Sequence, residues 1–374
     1  MLVYTCQTPI CEDVILTRWL LAMLIFVPVS ILLRVSGAPD GWVFGLSALA
    51  IVPLAGLLGL ATEELSRKYG SGVGGLLNAT FGNATELIIC LVAVRAGEID
   101  VVKASLIGSI IGNVLLVLGL SVLLGGIRHK MQTFNKDVAQ SHSAMLAVSV
   151  ISLVVPALFV GSSRLTATPA SAAARIEGLS LGVAGVLIVL YVGSLIFSLY
   201  THETLFRNGE EGAVSDADEP AWSQAKAVVV LIVCTLIIAV ESDMLVHAIN
   251  PVVSATHMNK MFLGIVLIPI IGNAAEHASA VMMALKNKMD ISLNIAISSS
   301  TQIAMFVAPV VIFASPLLHH PVTILFDAFE LVALTASAAI AVLISMDGKS
   351  HWLEGAQLLA TYLIIALAFY YVAG

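Results

Sequence analysis

The chain has 374 residues, 59% of them hydrophobic and only 11% charged, with a net charge of -7 and a mean hydropathy of +1.01. Soluble globular chains carry about 25% charged residues, so this composition excludes a soluble protein and makes the lipid bilayer the first partner; no nucleic-acid partner is expected. The apolar runs are long and lack strand-style alternation, which predicts spanning helices rather than a barrel.

Counted as apolar stretches of about 20 residues, the predicted spans are 14–36, 41–62, 74–95, 101–125, 138–161, 178–200, 225–249, 260–285, 291–316, 321–345 and 352–373. The fold class is thus an all-α polytopic membrane protein with about eleven transmembrane helices. Glu12 and Asp13 precede the first run, so there is no basic n-region and the run reads as a span, not a secretory signal. Cys6, Cys11, Cys90 and Cys234 have neither metal-site nor disulfide-framework spacing and are read as inert. The polar interruption at 201–224 holds Glu203, Glu210, Glu211, Asp216, Asp218 and Glu219 against Arg207, with Gly, Ser and Pro220, and reads as a linker. It lacks the spaced acidic loop of an EF-hand, which favours a solvated linker over a calcium sensor.

The linker divides the chain into an N-terminal segment with one extra helix (1–40), a first five-helix unit (41–200), the acidic linker (201–224) and a second five-helix unit (225–374). The phrase Gly82-Asn83-Ala84-Thr85-Glu86 in the first unit returns as Gly272-Asn273-Ala274-Ala275-Glu276 in the second. Laid on one another, the units also match Ser109 with Ser299. An odd number of helices per unit inserts the two copies in opposite senses, an inverted repeat of the kind transporters use. Positive charge orients them. With the N-terminus in the cytoplasm, Arg67, Lys68, Arg128, Lys130, Lys136, Arg207, Lys226, Lys286, Lys288 and Lys349 fall inside. Arg34, Arg95, Lys103, Arg164, Arg175 and Lys260 fall outside, and the bias favours this orientation.

Each phrase puts a carboxylate at the middle of a span, where a charge costs roughly 2.5–3.5 kcal/mol on insertion scales. One buried glutamate is explained by a hydrogen bond between helices; two in register point to an ion or proton site. Asn83 and Glu86, like Asn273 and Glu276, are three apart and share a helix face. For the asparagines, interhelical hydrogen bonding and cation ligation are equally good readings. Gly82 and Gly272 admit close backbone approach, and Pro269 is expected to break the helix before the second phrase. The next helix of each unit is polar inside: Ser109 and Asn113 in the first, and Ser298-Ser299-Ser300-Thr301-Gln302 in the second. Such neutral oxygens suit a hard cation that needs several ligands. Small hydroxyl residues also let helices pack, so Gln302 is the stronger candidate beside Ser299.

These phrases, with GSIIGNVLLVLG and SSSTQIAMFVAP after them, resemble the two signature repeats of the cation/proton exchanger (CAX) family of the calcium/cation antiporter superfamily. The likeness covers one leading helix, five plus five, and an acidic centre. It implies that Glu86 and Glu276 bind the metal cation and the exchanged protons, with Asn83, Asn273, Ser299 and Gln302 as lesser site residues. It further implies calcium and protons as transported ions with no cofactor. The expected place is a prokaryotic cell membrane with the N-terminus cytoplasmic, or a vacuolar membrane in a eukaryote. Ser298 stands where the family commonly has glycine, which narrows the space beside Ser299. Neither repeat shows the GTSxPE-like phrase of a sodium/calcium exchanger, although sodium coupling and other divalent cations remain alternatives.

Secondary candidates are Ser109, Asn113, His277, Asp243 and Glu330. His277 is placed to tune Glu276, since an unperturbed imidazole titrates near neutral pH. Glu241 and Asp243 near one helix end, like Glu63 and Glu64 in the other unit, are placed to pass ions or protons to the centre, or else are water-exposed helix ends. Glu330 serves there or braces the core by hydrogen bonding. An intramembrane hydrolase is the competing class, but no His-Glu-x-x-His occurs; a passive channel lacks a visible filter.

Overall fold

The computed structural model describes residues 19–162, 169–202 and 222–371. The charges of the expected linker from Glu203 to Glu219, Cys6, Cys11, Arg164 and the first residues of the leading span lie outside the described residues. The leading helix is α1 (Phe26–Val35). The first unit then runs α2 (Asp40–Phe81), α3 (Ala84–Arg95), α4 (Ile99–Ile111), α5 (Leu118–His129), α6 (Lys136–Ser162) and α7 (Pro169–Ile196). The second runs α8 (Gln224–Thr256), α9 (Lys260–Phe262), α10 (Ile268–Gly272), α11 (Ala274–Leu285), α12 (Met289–Gln302), α13 (Ala308–Ala314), α14 (Ala328–Ile344) and α15 (Trp352–Tyr371).

Among the described residues, seven helices are long and apolar enough to cross a membrane, and the bent pair Lys260–Gly272 plus Ala274–Leu285 makes an eighth. The shorter apolar helices Trp19–Val35 and Ala328–Ile344, with the Gly74–Arg95 stretch, are consistent with the expected eleven. The chain is a multi-pass membrane protein.

Three local features depart from the sequence expectations. The first span is longer than the expected 41–62, running Asp40–Tyr69, and the chain stays helical through the joint to Phe81. Ser66 Oγ donates to the Gly74 carbonyl at 2.7 Å, whereas eight residues of straight helix rise about 12 Å. The helix therefore folds back between them. Second, the break in the second phrase falls at Asn273, not at Pro269, which sits at the start of α10. Third, Met131–Thr133 (β1) and Lys349–His351 (β2) pair antiparallel, Met131 opposite His351. The ribbon closes one end of the bundle, with buried Gln132 donating to the Ala284 carbonyl at 2.8 Å. We call this end the ribbon face; it also carries the joints at 67–73 and 286–288.

The opening helices of the two units, α2 and α8, pack along one another. Elsewhere α5 meets α15 backbone to backbone. A Cβ placed on Gly355 would lie 2.2 Å from the Leu123 nitrogen and 2.7 Å from the Gly119 carbonyl oxygen. Neither neighbour can rotate away, so Gly355→Ala is expected to cost about 1–3 kcal/mol, the range for overpacking. Gly182 has nothing within 4 Å of such a Cβ, so Gly182→Ala is the neutral control. Thermal unfolding of the detergent-solubilised protein checks the pair; equal melting of both variants would contradict the close packing.

Candidate functional site

Both signature phrases sit where a spanning helix is interrupted. Asn83 (φ -102°, ψ 20°) and Asn273 (φ -100°, ψ 10°) hold the bridge conformation between helix segments. The bend at the second break is 64°. In each, the asparagine precedes a helix whose third residue is the glutamate: Glu86 in α3, Glu276 in α11. Carboxylates in the first turn are favoured by the positive end of the helix dipole. An N-cap asparagine ordinarily caps its own helix, yet neither side chain does; both reach the other repeat, Asn273 while also donating to the Pro269 carbonyl at 3.2 Å.

The crossing is reciprocal. Asn83 Oδ1 accepts from Ser299 Oγ at 3.1 Å, and Asn273 Nδ2 donates to Ser109 Oγ at 3.3 Å. A Cβ on Gly82 would lie 3.7 Å from Glu276 Oε1, and one on Gly272 3.5 Å from Glu86 Oε1. Each glutamate thus faces the glycine of the other repeat. The two phrases thus pair across the repeats, glutamate against glycine, at ordinary van der Waals distance.

Three residues without a like counterpart make the site unequal. Gln302 Oε1 accepts from Asn83 Nδ2 at 2.6 Å. Asn113, in the π-helical turn Gly112–Val117 between α4 and α5, donates to Ser299 Oγ at 3.1 Å and lies 3.3 Å from His277 Nε2. His277, expected to tune Glu276, turns its ring to Asn113. Ser299 Oγ is 2.7 Å from Glu276 Oε2. Its single proton serves either that carboxylate or Asn83 Oδ1 at one time. Such π-helical turns inside α-helices frequently mark functional sites; a second, Ile303–Val307, follows Gln302.

Glu86 is buried, and its Oε1 has no hydrogen-bond partner; nor has Asn273 Oδ1. Two enclosed acceptor oxygens without donors are expensive unless a proton or a cation supplies the missing partner. Glu276 is only half-buried. It borders a cavity of about 90 Å³ with Asn78, Gly82, Ile295, Ser298, Ser299 and Gln302. Asn78 and Ile295 lie on the ribbon-face side of the centre, so the cavity runs that way. Among the described residues no three His, Cys, Asp or Glu cluster to hold a metal; the centre offers two carboxylates and otherwise neutral oxygens.

The other acids lie apart from this centre. Asp243 is exposed and 3.5 Å from His247 on its own helix. Glu330 Oε2 accepts from the Asp327 backbone N–H at 2.9 Å, completing a capping box with Asp327 at the start of α14. Glu241 is buried and takes the Ser30 hydroxyl at 2.7 Å, tying α1 to α8. Glu63 pairs with Arg67 at 2.7 Å at the ribbon-face end of α2. The links from Asn83 to Gln302 and from Asn113 to His277 carried no sequence signal beyond polarity inside a span.

The sequence pattern of the family described as "Sodium/calcium exchanger protein" matches residues 40–200 and 226–371. The chain is 42% identical to a Ca2+/H+ antiporter of Aphanothece halophytica, over 93% of this chain and 95% of that one. It is 41% identical to the Ca2+/H+ antiporter ChaA of Bacillus subtilis, over 92% and 96%. The solved structure of native YfkE superposes with a TM-score of 0.79 at 37% identity, covering 94% of this chain and 99% of that one.

Proposed function

We propose, for a chain that belongs to the sodium/calcium exchanger protein family and within it to the cation/proton exchangers, that it moves calcium and protons in opposite directions across the membrane it spans. It is a transporter, not an enzyme, as its relatives are. The observation that carries the site assignment is the reciprocal placement of Glu86 and Glu276, each at a helix break and each against the other repeat's glycine.

Charge explains why such a site exchanges. With both carboxylates ionised and nothing bound, two negative charges share a poorly polarisable centre, and both repulsion and desolvation oppose that state. One Ca2+ neutralises them; so do two protons. The centre then changes sides only when occupied by one or the other, by alternating access between the inverted units. Ligation by carboxylates with amide and hydroxyl oxygens in flexible geometry favours calcium over magnesium, which holds its waters and wants a smaller octahedron.

The basic joints at Arg67, Lys68, Lys286 and Lys288 put the ribbon face in the cytoplasm by the positive-inside rule. The cavity beside Glu276 then opens to the cytoplasm. Purified protein in sealed vesicles should release protons on the side where calcium is added, read with a pH-sensitive dye. Calcium entry with no proton counterflow would mean a channel instead.

The neutral ligands have a separate signature. Ser299→Ala and Gln302→Ala should each weaken apparent calcium affinity about tenfold to a hundredfold, since a hydrogen-bonding group to a charged partner is worth about 1.5–3 kcal/mol. These groups do not titrate, so the pH optimum should stay in place. An unchanged affinity with a displaced optimum would refute their assignment as ligands.

A further inference from the structure

The sequence separation that relates Glu86 to Glu276 also relates Gly108 to Ser298, Ile265 to Gly75, Gly264 to Gly74 and Ala104 to Asn294. These residues lie on the two approaches to the centre. On the approach away from the ribbon face, α4 meets the π-helical turn Leu263–Leu267 with no space between backbones. A Cβ on Gly108 would lie 2.2 Å from the Ile265 carbonyl oxygen and 2.5 Å from its Cα. One on Gly264 would lie 2.5 Å from the Ala104 Cβ. That approach is shut, and glycine is what lets it shut.

The repeat-related contact would bring Ser298 onto Gly75 and Gly74 onto Asn294. Here it is not made. Ser298 lines the cavity with Asn78 and Gly82, and the atoms nearest a Cβ on Gly75 belong to the Leu199 side chain, not to Ser298. The same two elements are closed in one repeat and parted in the other.

We propose that Ser298 is a wedge in the ribbon-face gate and, with Gly108, sets which side of the transporter rests open. The proposal builds on the alternating-access reading given above. When the ribbon side closes, the second arm of α2 approaches α12 as the Leu263–Leu267 turn now approaches α4. Gly108 has no side chain at the point of contact. Ser298 carries a Cβ there, and the mirrored geometry would drive that carbon into the Gly75 carbonyl. Glycine at 75, where the other repeat has Ile265, lets the backbone yield part of the way. The ribbon-side gate therefore closes less tightly than its counterpart, and the ribbon-open state seen here is the preferred one.

The test uses the full chain in sealed vesicles, with Cys6, Cys11, Cys90 and Cys234 replaced by alanine and Asn78→Cys as reporter in the cavity. A membrane-impermeant maleimide is applied to the ribbon face, and calcium/proton exchange is assayed in the same preparation. Ser298→Gly should slow labelling about tenfold, equivalent to about 1.4 kcal/mol and within the range for relieved overpacking. Ser298→Ala keeps the Cβ and should label at the parent rate. Gly108→Ala, which spoils the opposite seal, should also slow labelling. If alanine and glycine at 298 slow labelling equally, the operative feature is the hydroxyl's 2.6 Å bond to the Asn294 carbonyl, and the wedge is refuted. It is likewise refuted if neither Ser298→Gly nor Gly108→Ala changes the rate while exchange proceeds. The expected labelling shifts in the variants, together with no exchange by the parent, would overturn the exchange reading and leave the wedge standing.

Discussion

Glu276→Gln and Glu86→Gln should each reduce calcium-driven proton movement by more than about a hundredfold. A unit charge pair at 4 Å is worth about 4 kcal/mol at an effective dielectric of 20, and every 1.4 kcal/mol is tenfold in an equilibrium. Glutamine removes one charge and the exchangeable proton while keeping the side chain's shape. At 276 it also keeps an acceptor for Ser299 Oγ, now 2.7 Å from the carboxylate. Folding should therefore survive, which a monodisperse elution profile and an unchanged melting temperature would establish. Dye-reported proton release from vesicles then measures the loss. Parent-like exchange by either variant would end the two-carboxylate site, because the remaining single carboxylate cannot neutralise a divalent cation. The two variants need not fail alike at partial calcium occupancy, since Glu276 borders the cavity and Glu86 is enclosed.

A pH gradient, and not a sodium gradient of equal size, should drive calcium accumulation. Protons and calcium compete for the same two carboxylates. As pH falls through their titration both become neutral, present no charge to the cation, and apparent calcium affinity drops. As pH rises they ionise and calcium is preferred. The acidic side of a membrane therefore protonates the site and ejects calcium there, and calcium accumulates in whichever compartment is more acidic. Sodium has no part in this balance. Calcium flux is measured in vesicles with an imposed pH step or sodium step, the other ion held equal across the membrane. Accumulation that follows sodium and ignores pH would falsify proton coupling and favour a sodium/calcium exchanger.

Much of this is legible in the amino-acid sequence. Long apolar runs require helices that satisfy their own backbone groups in lipid, so the chain's class follows from composition. The repeated phrase is visible because inverted copies retain their polar residues against a hydrophobic background, where each such residue is costly. That cost is why Glu86 and Glu276 stand out, and why Ser109, Asn113, Ser299 and Gln302 could be collected beside them. The acids near helix ends were less informative. Asp243 and Glu330 are cheap to place where water or a helix terminus satisfies them, and their partners in the structure are local, His247 and the Asp327 backbone.

By itself, then, the sequence determined the helical membrane class, the repeated phrase and the two carboxylates within it, because hydropathy and helical spacing are local properties. Only the tertiary structure decided partnership. In-helix spacing says which face a residue occupies but not what lies across from it. That Asn83 bonds to Gln302, that Asn113 bridges Ser299 and His277, and that each glutamate faces the other repeat's glycine depend on how two distant segments cross. The same holds for the fold-back of α2, the ribbon, and the inequality of the two gates. Gly108 and Ser298 stand at the same offset in the two repeats, and the sequence shows that only one carries a side chain; packing alone shows that one is a closed contact and the other the wall of an open cavity.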